Sequence, residues 1–147
     1  MKVPKNRKQI FRDYIQWAVS LILSLLFLYT AFSKLLDPTG TLQGLRNQVF
    51  PVWFALVLFY ILPIAEILTG MMLLFSRTQR IGLKVSAVLL SLFSGYIVLV
   101  LIGIFGRVPC SCGGVLNSLG WWEHLWFNLF FLGLAWIGLK YKQKEDE

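Results

Sequence analysis

Four apolar stretches, each about 20 residues long, constrain this chain more than any other feature, since a helix of that length crosses the hydrocarbon core of a bilayer. Hydrophobic residues make up 57% of the 147 positions and charged residues 14%. A soluble domain of this size could not bury so much apolar surface. We therefore predict an all-α membrane protein, a four-transmembrane-helix bundle forming one domain over residues 1–147. The predicted spans are residues 15–36, 53–75, 81–105 and 122–139.

The basic residues indicate the direction of these spans. Eleven Lys and Arg residues lie in the two terminal tails and around the second connection, whereas three lie at the first and third connections. Because basic residues concentrate on the cytoplasmic side, we expect both termini in the cytoplasm of a bacterial inner membrane. The net charge of +7 then reflects topology and contact with membrane lipids rather than a nucleic-acid partner. Tryptophans near the predicted helix ends support this arrangement, because indole rings prefer the membrane–water boundary.

The first connection carries a helix signal of its own. Asp37 and Pro38 are typical of a helix start, with Asp as the cap and Pro in the first turn. Leu42, Leu45 and Val49 then recur at helical spacing. The pattern predicts a short amphipathic helix on the outer face, acting either as a lid over the bundle or as a surface anchor.

Small residues recur at every fourth position on two of the spans. Ser20 and Ser24 do so on the first span, and Ala87, Ser91 and Gly95 do so on the third. Lipid supplies no hydrophobic force between helices, so close backbone approach at small residues often marks their contacts. We expect both stripes to be packing faces within the bundle.

The third connection holds both cysteines of the chain, Cys110 and Cys112, separated by one residue. This pair cannot join distant parts of the chain, and a disulfide within it closes a small, strained ring. Strained disulfides are reduced and exchanged more readily than structural ones. Gly113 and Gly114 follow and leave room for a partner's thiol. We favour an exchange-active pair; a metal site that adds His124, or a turn without function, are the alternatives.

Two other polar residues in the spans are candidates for chemistry. Glu66 is the only acid well inside a span, where a carboxyl group is costly unless neutral or paired. It indicates a proton or quinone site, or a structural hydrogen bond in the bundle. His124 and Asn128 are four residues apart and share a helix face, so His124 is a candidate base for the thiols or an interfacial anchor. Lys34 is expected to reach the headgroups or to pair with Asp37.

These residues also carry a family resemblance over about residues 15–139. Residues 31–38, Ala-Phe-Ser-Lys-Leu-Leu-Asp-Pro, with Leu-Pro-Ile-Ala-Glu at 62–66 and Thr-Gly at 69–70, resemble the pattern of DoxX-like membrane proteins. Pro-Cys-Ser-Cys-Gly at 109–113 is similar to the motif of the methylamine-utilisation protein MauE branch. The family motif often has an aromatic residue before its Gly, whereas here Gly follows the second cysteine directly.

The resemblance implies a redox-associated four-helix bundle that helps to mature disulfide-rich periplasmic proteins beside a thioredoxin-like partner. By position, Cys110 and Cys112 match the family's cysteine motif, and Lys34, Asp37 and Glu66 match the DoxX-like pattern. A role in methylamine metabolism itself does not follow from it.

The residues and the resemblance together predict an inner-membrane thiol–disulfide oxidoreductase. It would carry disulfides or reducing equivalents to a periplasmic thioredoxin-like partner through Cys110 and Cys112, with a quinone near Glu66 as the candidate cofactor and no resident metal. Two alternatives come from other classes. One is a non-catalytic membrane subunit or assembly factor of a larger redox complex, and the other is a small solute carrier based on Glu66.

Overall fold

Helices account for nearly all of the part of the chain that the computed structural model describes, residues 6–106 and 120–143. No strand occurs within these two ranges, which agrees with the predicted all-α class. The helices are α1 (Arg7–Leu36), α2 (Pro38–Arg46), α3 (Val52–Leu74), α4 (Gln79–Leu101) and α5 (Trp121–Gln143).

Helix ends differ from the predicted bounds at α1 and α4. Helix α1 begins well before the first apolar stretch, because a capping arrangement starts it: the Asn6 backbone N–H donates to Gln9 Oε1 at 3.0 Å. Helix α4 stops at Leu101 rather than continuing to residue 105. Gly103 and Gly106 follow it with φ of 73° and 69°, a left-handed conformation that ends a helix.

Three of the helices, α1, α3 and α4, are long and apolar enough to cross a membrane, which makes the chain a multi-pass membrane protein. The fourth predicted span, residues 122–139, coincides with α5, a helix of 23 residues that is not among those three. Its first turns hold Glu123, His124 and Asn128, which lower its hydropathy. The structure thus shows three of the predicted spans as apolar helices and the fourth as a helix of mixed polarity.

The beginnings of α1 and α4 and the end of α5 meet at one end of the bundle. Gln16 Nε2 donates to Gln79 Oε1 at 2.7 Å, joining α1 to α4. Near the end of α5, a Cβ added at Gly138 would lie 2.9 Å from Leu83 Cδ2 and 3.2 Å from Val19 Cγ1. We call this the basic end. Its described basic residues are Arg7, Lys8, Arg12, Arg77, Arg80, Lys84 and Lys140.

The bundle buries aliphatic side chains at its centre and turns aromatic ones outward. Leu23, Leu73 and Leu83 are at most 1% exposed and form the core with residues from α1, α4 and α5. Five tryptophans, by contrast, are 59–69% exposed, an arrangement that suits lipid rather than water as the surrounding solvent. These are Trp17, Trp53, Trp122, Trp126 and Trp136.

The two small-residue stripes behave differently. On α1 the prediction is confirmed, since Ser20 and Ser24 are buried and Ser24 Oγ donates to the Gly70 carbonyl oxygen of α3 at 2.8 Å. On α4 it holds for Ala87, which packs against the core, and is wrong for Ser91 and Gly95. Both are exposed, and a Cβ at Gly95 would meet nothing within 4 Å. Periodicity identifies a helix face, but only the fold decides whether a neighbouring helix covers it.

The close approach of α1 and α3 at Gly70 gives a stability prediction. A Cβ there would lie 2.8 Å from Leu28 Cγ, so Gly70→Ala should lower the free energy of unfolding in detergent by about 1–3 kcal/mol through overpacking. Gly95→Ala is the matched control and should raise it by about 0.5–1 kcal/mol, because alanine favours a helix. Equal effects of the two substitutions would contradict the packing at Gly70.

Candidate functional site

An ion pair between α1 and α3 is the most distinctive polar contact inside the described bundle. Lys34 Nζ donates to Glu66 Oε1 at 2.8 Å and to Oε2 at 3.1 Å. The same ammonium group donates to the Thr30 carbonyl oxygen one turn earlier on α1, at 3.3 Å. The Glu66 side chain is 5% exposed and that of Lys34 is 22% exposed. Such a pair offsets the cost of placing each charge away from water.

Glu66 lies well within α3. At 1.5 Å per residue it is about 21 Å from Val52 and about 12 Å from Leu74 along the helix axis. Lys34 begins near the opposite end of the bundle, and its long side chain reaches inward to the carboxylate. Among the alternatives for Glu66, the structure shows a hydrogen-bonded interhelical contact.

The expected partner of Lys34 was wrong. Asp37 instead caps α2: its Oδ1 accepts from the Gly40 backbone N–H at 2.9 Å and from Thr39 Oγ1 at 3.2 Å. This confirms Asp37 as the predicted cap, with Pro38 in the first turn. A carboxylate committed to its own helix start is less available to a neighbouring lysine than the buried Glu66, which has no water to solvate it.

His124 and Asn128 lie on the inward face of α5, as their spacing predicts. His124 is half-buried. Asn128, one turn along, is 5% exposed, and its Nδ2 has no hydrogen-bond partner among the described residues. The structure thus joins Lys34 to Glu66 between α1 and α3, and it places His124 on α5, which packs against α1.

Helix α2 is fastened to the bundle beside this region. The Thr41 hydroxyl donates to the Lys34 carbonyl oxygen at 3.4 Å, and Thr41 and Leu45 are buried. Just after α2, Gln48 Oε1 accepts from the Tyr96 hydroxyl of α4 at 2.6 Å. The predicted amphipathic helix is therefore present. Its buried face lies against α3, which favours the lid over the passive surface anchor.

The thiol pair, Cys110 and Cys112, lies outside the described residues, and so does the alternative metal site that would include it. An aromatic residue lies close to the connection on either side, Phe105 before it and Trp121 after it. The Tyr96 ring centroid on α4 is 6.3 Å from that of Phe105 and 6.4 Å from that of Trp121. The residues before and after this connection therefore contact the same ring. Within the described ranges, no three His, Cys, Asp or Glu side chains are grouped to hold a metal ion.

Comparison with known families assigns the chain. Residues 12–141 match the model of the methylamine utilisation protein MauE, which covers most of the sequence. The chain belongs to the MauE family. No curated protein and no solved structure gives a significant match. The family match covers α1 from residue 12 onward, all of α3 and α4, and the connection that carries the cysteines.

Sequence reasoning named Lys34 and Glu66 separately and missed that they form a pair. A usable signal was present. Glu66 is the only acid deep in a span, and Lys34 is a basic residue at the end of the preceding span. Since an intramembrane charge seeks an opposite charge, the nearest basic residue on a neighbouring apolar helix was the natural partner.

Proposed function

We propose that this MauE-family protein carries disulfides or reducing equivalents to a periplasmic thioredoxin-like partner, at the outer face of a bacterial inner membrane. Cys110 and Cys112 form the exchange centre. Helix α5 makes a fourth membrane crossing, so both termini are cytoplasmic and the thiols face the periplasm. The observation that carries the proposal is the Cys-Ser-Cys sequence within the MauE match, in the connection between α4 and α5. The described ends of α4 and α5 that flank this connection, Leu101 and Trp121, are the ends away from the basic residues.

Several features of the described residues support this arrangement. The basic end holds seven of the described Lys and Arg side chains, and basic residues mark the cytoplasmic side. The α5 helix packs against α4 and α1 and presents Trp126, Phe130 and Trp136 outward, as a lipid-facing helix does. Lys34 and Glu66, both part of the DoxX-like pattern, are in contact, which holds α1 against α3.

The proposed reaction is thiol–disulfide exchange. A thiolate on one protein attacks a disulfide of the other, which forms a mixed disulfide and releases one thiolate. The second cysteine of the attacking protein then displaces its partner's remaining sulfur, so two electrons and two protons pass between the proteins. His124 would act as base for the thiols. Glu66, held by Lys34, would be the intramembrane proton or quinone site.

The exchange proposal is tested by single substitutions at the two cysteines. We expect either Cys110→Ser or Cys112→Ser to trap a mixed disulfide, because the resolving thiol is missing. A band shift in the membrane fraction on non-reducing gels, lost on reduction, would reveal it, and mass spectrometry would identify the partner. Ser111→Ala is the matched control and should trap nothing. The proposal is wrong if neither single variant traps a partner and the double variant leaves periplasmic disulfides unchanged.

The same experiment separates the main alternative, a non-catalytic subunit or assembly factor. In that case the bundle surface would matter and the thiols would not. A partner complex that co-purifies equally with the wild type and with the Cys110→Ser/Cys112→Ser double variant would support this alternative. A role in methylamine utilisation follows from the family's name and belongs to the proposal; loss of growth on methylamine in a deletion strain would test it.

A further inference from the structure

An apolar groove lies between α4 and α5 on the outside of the bundle, with a volume of about 390 Å³. Its walls expose large side chains: Val88 is 57% exposed, Leu92 65% and Trp136 68%. The groove is open between these side chains because two small residues, the partly buried Ala87 and the exposed Ser91, line it on α4. The lining residues are Ala87, Val88, Ser91, Leu92, Leu132 and Trp136.

Two lysines continue the groove toward the basic end. Lys84 precedes Val88 by four residues on α4, and Lys140 follows Trp136 by four residues on α5, so each shares a helix face with a groove residue. The two helices run in opposite directions, so both steps, about 6 Å along the axis, lead to the same end. Both lysines are exposed, and neither forms an ion pair with another described residue.

We propose that this groove binds one anionic phospholipid. An acyl chain lies against Val88, Leu92 and Trp136, and the headgroup phosphate lies between Lys84 and Lys140. The match is one of charge and polarity together. The apolar groove runs along the helices as a lipid tail does. Two exposed cations, which form no ion pair within the described part of the chain, lie where its headgroup would be. This inference does not depend on thiol exchange.

A second copy of the chain is a less suitable occupant. Two copies related by an axis along the membrane normal would bring both Lys84 and both Lys140 side chains to the same depth. Four ammonium groups would then lie around one interface, and their like charges would repel one another. An anionic headgroup removes this repulsion, whereas another copy adds to it.

Native mass spectrometry of the purified full-length protein in detergent tests the proposal, with phosphatidylglycerol and phosphatidylcholine of identical acyl chains as probes. The wild type should retain one phosphatidylglycerol and prefer it over phosphatidylcholine by about twenty-five-fold, since each of the two basic residues near a lipid surface contributes about fivefold. The Lys84→Gln/Lys140→Gln double variant should lose this preference. Ser91→Phe, which fills the groove without changing charge, should lose the bound lipid of either type.

The matched control is Lys8→Gln/Arg77→Gln, which removes two exposed cations from the same end of the bundle but away from the groove. It should keep the preference for phosphatidylglycerol. An equal loss in this control would mean that overall charge, not the groove, attracts the lipid, and would overturn the proposal. So would wild-type lipid retention in Ser91→Phe, or a lipid-free dimer that Ser91→Phe converts to monomer.

Discussion

Replacing Lys34 with methionine is expected to lower the free energy of unfolding by about 3–5 kcal/mol relative to the wild type. The substitution keeps most of the side-chain volume but leaves the Glu66 carboxylate, 5% exposed, without its cation. Glu66→Leu should cost a comparable amount by leaving the Lys34 ammonium group unpaired. Unfolding in mixed detergent micelles, followed by helical circular dichroism, would measure both.

The double variant Lys34→Met/Glu66→Leu should cost less than either single change, because no buried charge is left unpaired. Lys8→Met provides the control: Lys8 is exposed, and its loss should change stability by no more than about 0.5 kcal/mol. Additive effects of the two single changes would contradict the pairing. Thiol exchange in the double variant then separates two roles of Glu66. Exchange persists if the pair only holds α1 against α3, and is lost from a folded protein if Glu66 moves protons or binds a quinone.

The second large effect is an all-or-none labelling pattern that tests the fourth crossing. In a Cys110→Ser/Cys112→Ser background, single cysteines at Lys8, Thr39 and Lys140 are treated in intact cells with a membrane-impermeant maleimide. If α5 crosses the membrane, Lys8→Cys and Lys140→Cys should be protected until the cells are lysed, and Thr39→Cys should be labelled at once. Labelling of Lys140→Cys in intact cells would show that the chain crosses the membrane three times. A fully reversed pattern would show that the protein has the opposite orientation.

Much of the fold could be predicted because a membrane-spanning helix can be recognised from its own residues, without knowing what it packs against. Apolar length gave α3 within a residue at each end, and Asp37 with Pro38 gave the start of α2. The prediction was less accurate where local sequence and hydropathy diverge. Apolar length placed the end of the third span beyond Leu101, although the backbone turns away at Gly103 with positive φ.

The candidate site was harder to predict because its residues come from three helices. Neither helix on its own identifies Lys34 and Glu66, which are 32 positions apart, as partners. The prediction that Ser91 and Gly95 pack inside the bundle was wrong for the same reason. Small residues permit contact with a neighbouring helix but do not specify which one. Helix pairing depends on the whole bundle, and a single sequence gives it only through residues, such as a buried carboxylate, that require a partner.

The length of α1 has a consequence for how the protein meets membranes of different thickness. Its 30 residues extend about 45 Å, against a hydrocarbon core of about 30 Å. The surplus lies at the basic end, where Ile10, Phe11 and Tyr14 are 57–67% exposed and reach the headgroup level. The same end also holds Arg7, Lys8, Arg12 and Asp13, whose charges are costly in hydrocarbon, so we expect it to stay in the headgroup layer. We therefore expect the bundle to meet a thicker or thinner bilayer by a change of tilt or by local bilayer deformation, because this charged end resists entry into the hydrocarbon.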